Sequence, residues 1–101
     1  MKAETLQVIQ PLLSVLRNNS ALVEVIPTVF HHNGRDFIHF HEEPEGLFAD
    51  VRLTRGQVRL PATSQTDQAE LLEAIEDTLL ALDAHSKRKR TVRRREPNSD
   101  A

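Results

Sequence analysis

The stretch HHNGRDFIHFH, from His31 to His41, holds four of the five histidines of the 101-residue chain around a central Asn-Gly pair. Asn33-Gly34 is the strongest short signal for a β-hairpin, because a two-residue type I′ turn needs positive φ angles at both central residues. A turn of fixed length also sets the register of the strands on either side of it. The predicted register pairs three residues of each strand: Phe30 with Phe37, His31 with Asp36, and His32 with Arg35.

The alternation of apolar side chains predicts the strand before this turn and two further strands after the hairpin. Residues 22–32 are rich in Val and Ile and predict one strand before the turn, in which Pro27 indicates a sheet edge or a bulge. Residues 47–54 alternate between apolar and polar side chains, as a strand with one buried face does. Arg55-Gly56 then predicts a tight turn into a last strand. In this register Val58 lies opposite Leu53, and Leu60 lies opposite Val51.

A helix is predicted at each end of the strands. Apolar side chains recur at helical spacing from Leu6 to Leu16 and again from Leu72 to Leu82. Asp67, followed three residues later by Glu70, resembles a capping box at the start of the second helix. The element order is therefore α-β-β-β-β-α, an α+β domain over residues 1–85 with a four-stranded antiparallel meander and both helices packed on one face.

The turn lengths assign each strand residue to a face of the sheet. A four-residue loop at residues 43–46 pairs Ile38 with Val51, His39 with Asp50, Phe40 with Ala49, and His41 with Phe48. One face collects the apolar side chains that the helices are expected to cover: Val25, Val29, Ile38, Phe40, Ala49, Val51, Leu53, Val58 and Leu60. The other face carries aromatic, imidazole and charged side chains: Phe30, Phe37, His39, His41, Phe48, Asp50, Arg52 and Arg59.

Only two of the four clustered histidines, His39 and His41, share a face in this register. Zinc takes three or four ligands, and the chain has no cysteine to complete a set, so we expect no metal and no other cofactor. His39 beside Asp50 could act as a general base, but a cross-strand ion pair accounts for the same two residues. We predict a protein without catalytic activity. The alternative is a small enzyme or a ligand- or metal-binding protein that uses His39, His41 and Asp50.

The predicted position of three phenylalanines on the uncovered face indicates an interface. Aromatic side chains and arginine are enriched in the contacts between proteins, and a large apolar patch is rarely left in water. The competing interpretation is a helix on each face, which would make these phenylalanines part of the core. We favour self-association as a dimer or contact with an unidentified protein, through six residues: Phe30, Phe37, His39, His41, Phe48 and Arg52.

Composition and charge describe an acidic body with a basic C-terminal segment. Hydrophobic residues make up 39% of the chain and charged residues 28%, which is typical of a soluble globular domain. The absence of cysteine fits a reducing cytoplasm, and no apolar run is long enough to span a bilayer, so we expect a cytoplasmic protein without a membrane partner. Residues 1–85 hold six basic and thirteen acidic residues, a net charge of −7.

Residues 86–101 have the opposite charge, +5, from seven basic and two acidic residues. This segment lacks an apolar face and is expected to be a disordered tail. A run of such charge can bind nucleic acid weakly and without sequence preference, or an acidic protein, and it can equally serve solubility alone. The residues of this segment that are predicted to make such contacts are its seven basic residues: Lys87, Arg88, Lys89, Arg90, Arg93, Arg94 and Arg95.

Overall fold

The computed structural model describes the backbone of residues 1–99 and the side chains of residues 1–84. It confirms the α+β class with an antiparallel sheet, but the sheet has five strands, in the meander order β1-β2-β3-β4-β5, where four were predicted. In chain order the elements are α1 Ala3–Arg17, β1 Val23–Ile26, β2 Val29–His32, β3 Arg35–Glu43, β4 Gly46–Leu53, β5 Gly56–Pro61 and α2 Gln65–Ser99.

The additional strand arises because the chain turns back at Pro27-Thr28. Ile26 pairs with Val29 across this two-residue turn, so the predicted strand 22–32 is divided into β1 and β2. Proline lacks the N–H needed to continue a ladder, and Thr28 adopts a φ of +68°, the positive value that the third position of a type II turn requires. Such values are uncommon for a β-branched residue, so Thr28 was not recognised as a turn residue.

Contacts from α1 and β3 hold the strained turn in place. The backbone N–H of Thr28 donates to a carboxylate oxygen of Glu24 at 3.1 Å, and the N–H of Phe40 donates to the carbonyl of Thr28 at 3.1 Å. Glu24 is in turn paired with Arg17, the last residue of α1, at 2.7 Å. Both partners lower the pKa of Glu24, the hydrogen bond from Arg17 most strongly. Helix α1 is therefore joined to the edge hairpin through one carboxylate.

The central hairpin begins as predicted and then departs from the predicted register. Asn33 and Gly34 have φ angles of +53° and +77°, and His31 and His32 pair with Asp36 and Arg35. The next pair, however, is Phe30 with Ile38, so that Phe37 is an extra residue in β3. This is a β-bulge, in which two residues of one strand oppose a single residue of the other.

Because of this bulge, the prediction that Phe30 lies opposite Phe37 on the face away from the helices is wrong. Phe30 instead shares the helix-facing side with Ile38 and is fully buried, and Phe37 is only 4% exposed within the same core. The shift also places Val29 beside His39, on the side away from the helices, whereas the sequence had placed Val29 on the face that the helices cover. Two of the three phenylalanines assigned to an interface therefore belong to the core.

The other two hairpins keep the predicted faces. All four predicted pairs between β3 and β4 are present, from Ile38 with Val51 to His41 with Phe48. Between β4 and β5 the register differs by two residues, because the turn is Thr54-Arg55 and Val58 pairs with Val51. A shift of two residues leaves every side chain on its predicted face, since the side-chain period of a strand is also two.

Both helices contribute to one hydrophobic core with the helix-facing side of the sheet. A side-chain hydrogen bond joins α2 to α1, from Gln68 to the carbonyl of Val8 at 3.1 Å, and Thr5 of α1 donates to Glu42 of β3 at 2.7 Å. The buried side chains come from both helices, the sheet and two connecting segments: Ile9, Leu12, Leu13, Leu16, Leu22, Phe30, Phe37, Ile38, Phe40, Leu47, Ala49, Val51, Ala62, Leu71, Ile75 and Leu79. Val25, predicted in this set, is exposed.

The start of α2 differs from the predicted cap. Ser64 and Asp67 exchange hydrogen bonds, each backbone N–H donating to the other's side chain at 3.1 and 3.0 Å. This is a capping box centred on Ser64, so Asp67 is its third helical residue, where the sequence predicted Asp67 as the cap. Neither helix, within the described residues, contains an apolar stretch that could cross a bilayer.

The prediction of a separate, disordered tail concerns residues 86–101. Their backbone up to Ser99 belongs to α2, whereas their side chains lie outside those that the structure describes. The tail therefore stays a prediction, as does the boundary at residue 85.

Phe30→Ala tests the bulged register by its effect on stability. We expect the free energy of unfolding to fall by about 3–5 kcal/mol, the usual cost of emptying a phenylalanine site in a core. Phe48→Ala removes the same atoms from the half-buried open side and should cost clearly less. Guanidinium denaturation of both variants measures the difference. Equal losses of unfolding free energy in the two variants, or a loss below about 1 kcal/mol for Phe30→Ala, would support the register without a bulge.

Candidate functional site: the open face of the sheet

The side of the sheet opposite the helices carries no covering element among the described residues. Strand pairing places three rows of side chains on it, and we call this surface the open face. The first row runs across all five strands as Ile26, Val29, His39, Asp50 and Arg59. The second row is His41, Phe48 and Pro61, and the third is Arg52 with Gln57.

Asp50 is the centre of the polar part of this face. Its carboxylate accepts from Nε of Arg59 at 2.9 Å and from Nη2 of the same side chain at 3.4 Å. Nη1 of Arg59 also reaches Glu43 at 3.2 Å. On its other side, Asp50 lies 2.8 Å from Nε2 of His41. Three strands are thus cross-linked by one carboxylate whose side chain is 19% exposed.

This arrangement favours the charged form of Asp50. The hydrogen bond from Arg59 lowers the pKa of the carboxyl below its ordinary value, and it outweighs the opposing effect of partial burial. The positive charge of Arg59 and the contact with His41 act in the same direction. The same hydrogen bond raises the pKa of Arg59.

The two histidines of the open face do not have the roles that the register alone suggests. His39 is the ladder partner of Asp50, yet the carboxylate contacts His41, two pairs further along the ladder. The rings of His39 and His41 lie against each other with their centroids 4.1 Å apart. The Nε2 atom of His41 is buried, and its approach to Asp50 lacks the alignment of a hydrogen bond, so this contact is an ion pair when the ring is protonated.

The other two clustered histidines are fixed elsewhere. His31 contacts Asp36, its predicted partner, at 2.7 Å. His32 donates from Nδ1 to the carbonyl of Ala21 at 2.8 Å, which leaves Nε2 as the acceptor of the neutral ring. His31 therefore links the two strands of the central hairpin, and His32 joins this hairpin to the loop before β1.

Two observations concern nucleophilic and metal chemistry among the described residues. The hydroxyl of Thr28, in the turn beside β2, donates to the carbonyl of Pro27. Among the described residues, no three His, Cys, Asp or Glu side chains are grouped so that they could hold a metal ion. What the polar cluster can do is present an ordered set of donors and acceptors to a surface placed against it.

An apolar margin borders this cluster along β1 and β2. Val23 and Ile26 are each 61% exposed, and Val29 is half-buried beside them. A shallow groove of about 300 Å³ runs from Ile26 and Val29 past His39 to Arg52. The sequence did not assign Val23 or Ile26 to a site, because the turn at Pro27-Thr28 that brings them to the sheet edge was missed.

The predicted interface residues are thus divided by the structure. His39, His41, Phe48 and Arg52 lie together on the open face, whereas Phe30 and Phe37 are buried beneath the helices. The seven basic residues of the predicted tail lie beyond the described side chains. Arg59 was placed on this face by the sequence but was not recognised as the partner of Asp50.

Comparison of the chain with protein-family models, with curated proteins and with solved structures finds no match. The functional conclusion therefore depends on the geometry alone.

Asp50→Asn tests the ion-pair cluster through the pH dependence of stability. A carboxyl whose pKa is lowered by folding stabilises the protein above its unfolded pKa, and this contribution is lost as the pH falls through the folded pKa. The free energy of unfolding should therefore decline less in the variant than in the wild type between about pH 6 and pH 2. Denaturation series across this range measure the two slopes.

Asp77→Asn is the matched control, because Asp77 is exposed on α2 and lies outside the cluster. It should keep the wild-type slope. Identical slopes for Asp50→Asn and the wild type would contradict the proposed pairing.

Proposed function

We propose that the protein is a small, non-catalytic interaction or adaptor module of the cytoplasm that acts as a homodimer through its open face. The observation that carries this proposal is the uncovered sheet face, on which exposed Ile26 and half-buried Val29 and Phe48 adjoin an ordered cluster of His, Asp and Arg side chains. Such a mixture of apolar, aromatic and arginine side chains is typical of protein interfaces.

The polar cluster is suited to burial in an interface. Removing an unpaired charge from water is costly, whereas a charge that already has its partner needs less compensation from the incoming surface. Asp50 is held by Arg59 and His41, and Glu43 is held by Arg59. Asp50 and Glu43 therefore have a partner, Arg59, before any second surface arrives, and the apolar margin can supply the driving force.

A second copy of the chain is the partner that we propose. The open face presents acidic groups and basic groups in separate positions, with Asp50 at the centre and Arg52 and Arg59 beside it. Two-fold symmetry brings the same patch of each subunit together, so a face with both signs of charge can complement itself. A strongly acidic partner would instead meet a body of net charge −7.

Support for a non-catalytic role comes from the contacts already made by the alternative catalytic residues. Asp50 is shared between Arg59 and His41, and His39 contacts the His41 ring. A general base of the His-Asp type needs its carboxylate on the catalytic imidazole and a reacting group in reach of the other ring nitrogen. His39 lacks the first of these within the described residues.

Ile26→Glu and Phe48→Glu test the dimer. Each places a charge on the open face without emptying a core site, so we expect a folded monomer in both cases. Val15→Glu makes the same change from apolar to acidic at an exposed position of α1 and should leave the dimer intact. Light scattering coupled to gel filtration measures the mass, and circular dichroism checks folding. A monomeric wild type at high concentration would refute the proposal.

The basic segment of residues 86–101 is proposed as a second, weaker contact, with nucleic acid or an acidic partner. The seven basic residues Lys87 to Arg95 would pair with phosphate groups and displace their counterions. The body, at −7, would be repelled by phosphate. This contact would therefore depend on the tail and weaken with salt.

Deleting residues 86–101 separates the tail from the body. The domain should remain folded, since the last buried side chain of α2 among those described is Leu79. We expect the full chain to bind single-stranded and duplex oligonucleotides weakly, with little sequence preference and a strong dependence on salt, and the truncated chain to bind neither. Fluorescence anisotropy measures both. Equal affinity of the two chains would show that the tail is not the contact.

A further inference from the structure

A second concave site lies at one end of the sheet, away from the centre of the open face. The turns Asn33-Gly34 and Thr54-Arg55 meet at this end, because β3 and β4 pair in register between them. Residues of both hairpins and of α2 line an open pocket of about 480 Å³ there. We call it the turn-end pocket, and it falls within the usual size range of small-molecule sites.

The unpaired positive charge of the body is concentrated at this end. Of its six basic residues, Arg17 and Arg59 are occupied by carboxylates. Three others make no ion pair with any described residue and lie in or near the two turns: Arg35, Arg52 and Arg55. The sixth, Lys2, lies at the start of α1. Arg35 and Arg52 line the turn-end pocket. Asp36 lines it too, but its carboxylate is held 2.7 Å from His31.

The interior of the pocket combines apolar side chains with one threonine. Phe37, Leu53 and Leu82 supply the apolar surface. Thr78, on the same side of α2, is 5% exposed and lines the pocket. Its hydroxyl can donate to or accept from a polar atom of a ligand.

We propose that the turn-end pocket binds a small amphipathic organic anion. Its oxyanion head, a carboxylate or a phosphate, would lie between the guanidinium groups of Arg35 and Arg52, which suit both geometries. Its apolar body would pack on Phe37 and Leu82, and a polar atom would bond to Thr78. All of these groups belong to one chain, and one of them, Arg52, is also a residue of the proposed interface.

The naphthalene dye 8-anilinonaphthalene-1-sulfonate is a suitable probe, since it joins an apolar body to one oxyanion. We expect saturable binding of one dye per chain by fluorescence titration of the full-length protein. Arg35→Gln and Arg52→Gln should each weaken binding about tenfold, because a hydrogen bond to a charged group is lost. Thr78→Val should weaken it less, and Thr78→Ser, which keeps the hydroxyl, should bind as the wild type does.

Arg55→Gln is the matched control. It removes the same charge at the same end of the sheet from a residue outside the pocket lining, and it should change the affinity by less than about twofold. Displacement by 1-naphthoate and by 1-naphthyl phosphate distinguishes the two head groups, and neutral 1-naphthalenemethanol should displace far less. Absence of saturable binding would overturn the proposal. So would equal losses in Arg55→Gln and Arg52→Gln, which would indicate only a general effect of charge.

Discussion

The bulge at Phe37 is the constraint on which the arrangement of the whole molecule depends. Phe37 has no partner in β2, so the register between β2 and β3 shifts by one residue at this point. The register between β3 and β4 stays regular. Phe30 is thereby turned toward the helices, where it is fully buried at the centre of the core. Without the bulge, the core would lose its largest buried side chain and the open face would carry an apolar surface too extensive for water.

Turns and registers that depend on patterns of neighbouring residues were predicted from the sequence. The bulge, which depends on one inserted residue, was not predicted. Asn33-Gly34 specifies its turn because few other pairs accept two positive φ angles, and the β3–β4 register followed from matching alternation in both strands. The bulge has no such signature, since Phe37 and Ile38 are both apolar and either could continue the pattern. Thr28 was missed for a related reason, because its positive φ is a conformation that glycine or asparagine ordinarily marks.

Part of the candidate site was within reach of sequence reasoning, and part was not. His39, His41, Phe48 and Arg52 were placed on one face by alternation alone, and they lie there. The choice between His39 and His41 as the contact of Asp50 depends on side-chain rotamers, which the strand register does not fix. The turn-end pocket could not be predicted, because it requires the packing of α2 against two hairpins that are distant in sequence.

The meander order also has a consequence for how the chain folds. Every strand pairs only with its sequence neighbour, so the sheet can grow by adding one short hairpin at a time, with little loop entropy to overcome at each step. Helix α1 is different, since its bonds reach Glu42 and Gln68, 37 and 60 residues away. We therefore expect α1 to dock late in folding, onto a sheet that has already formed, and its loss to precede global unfolding.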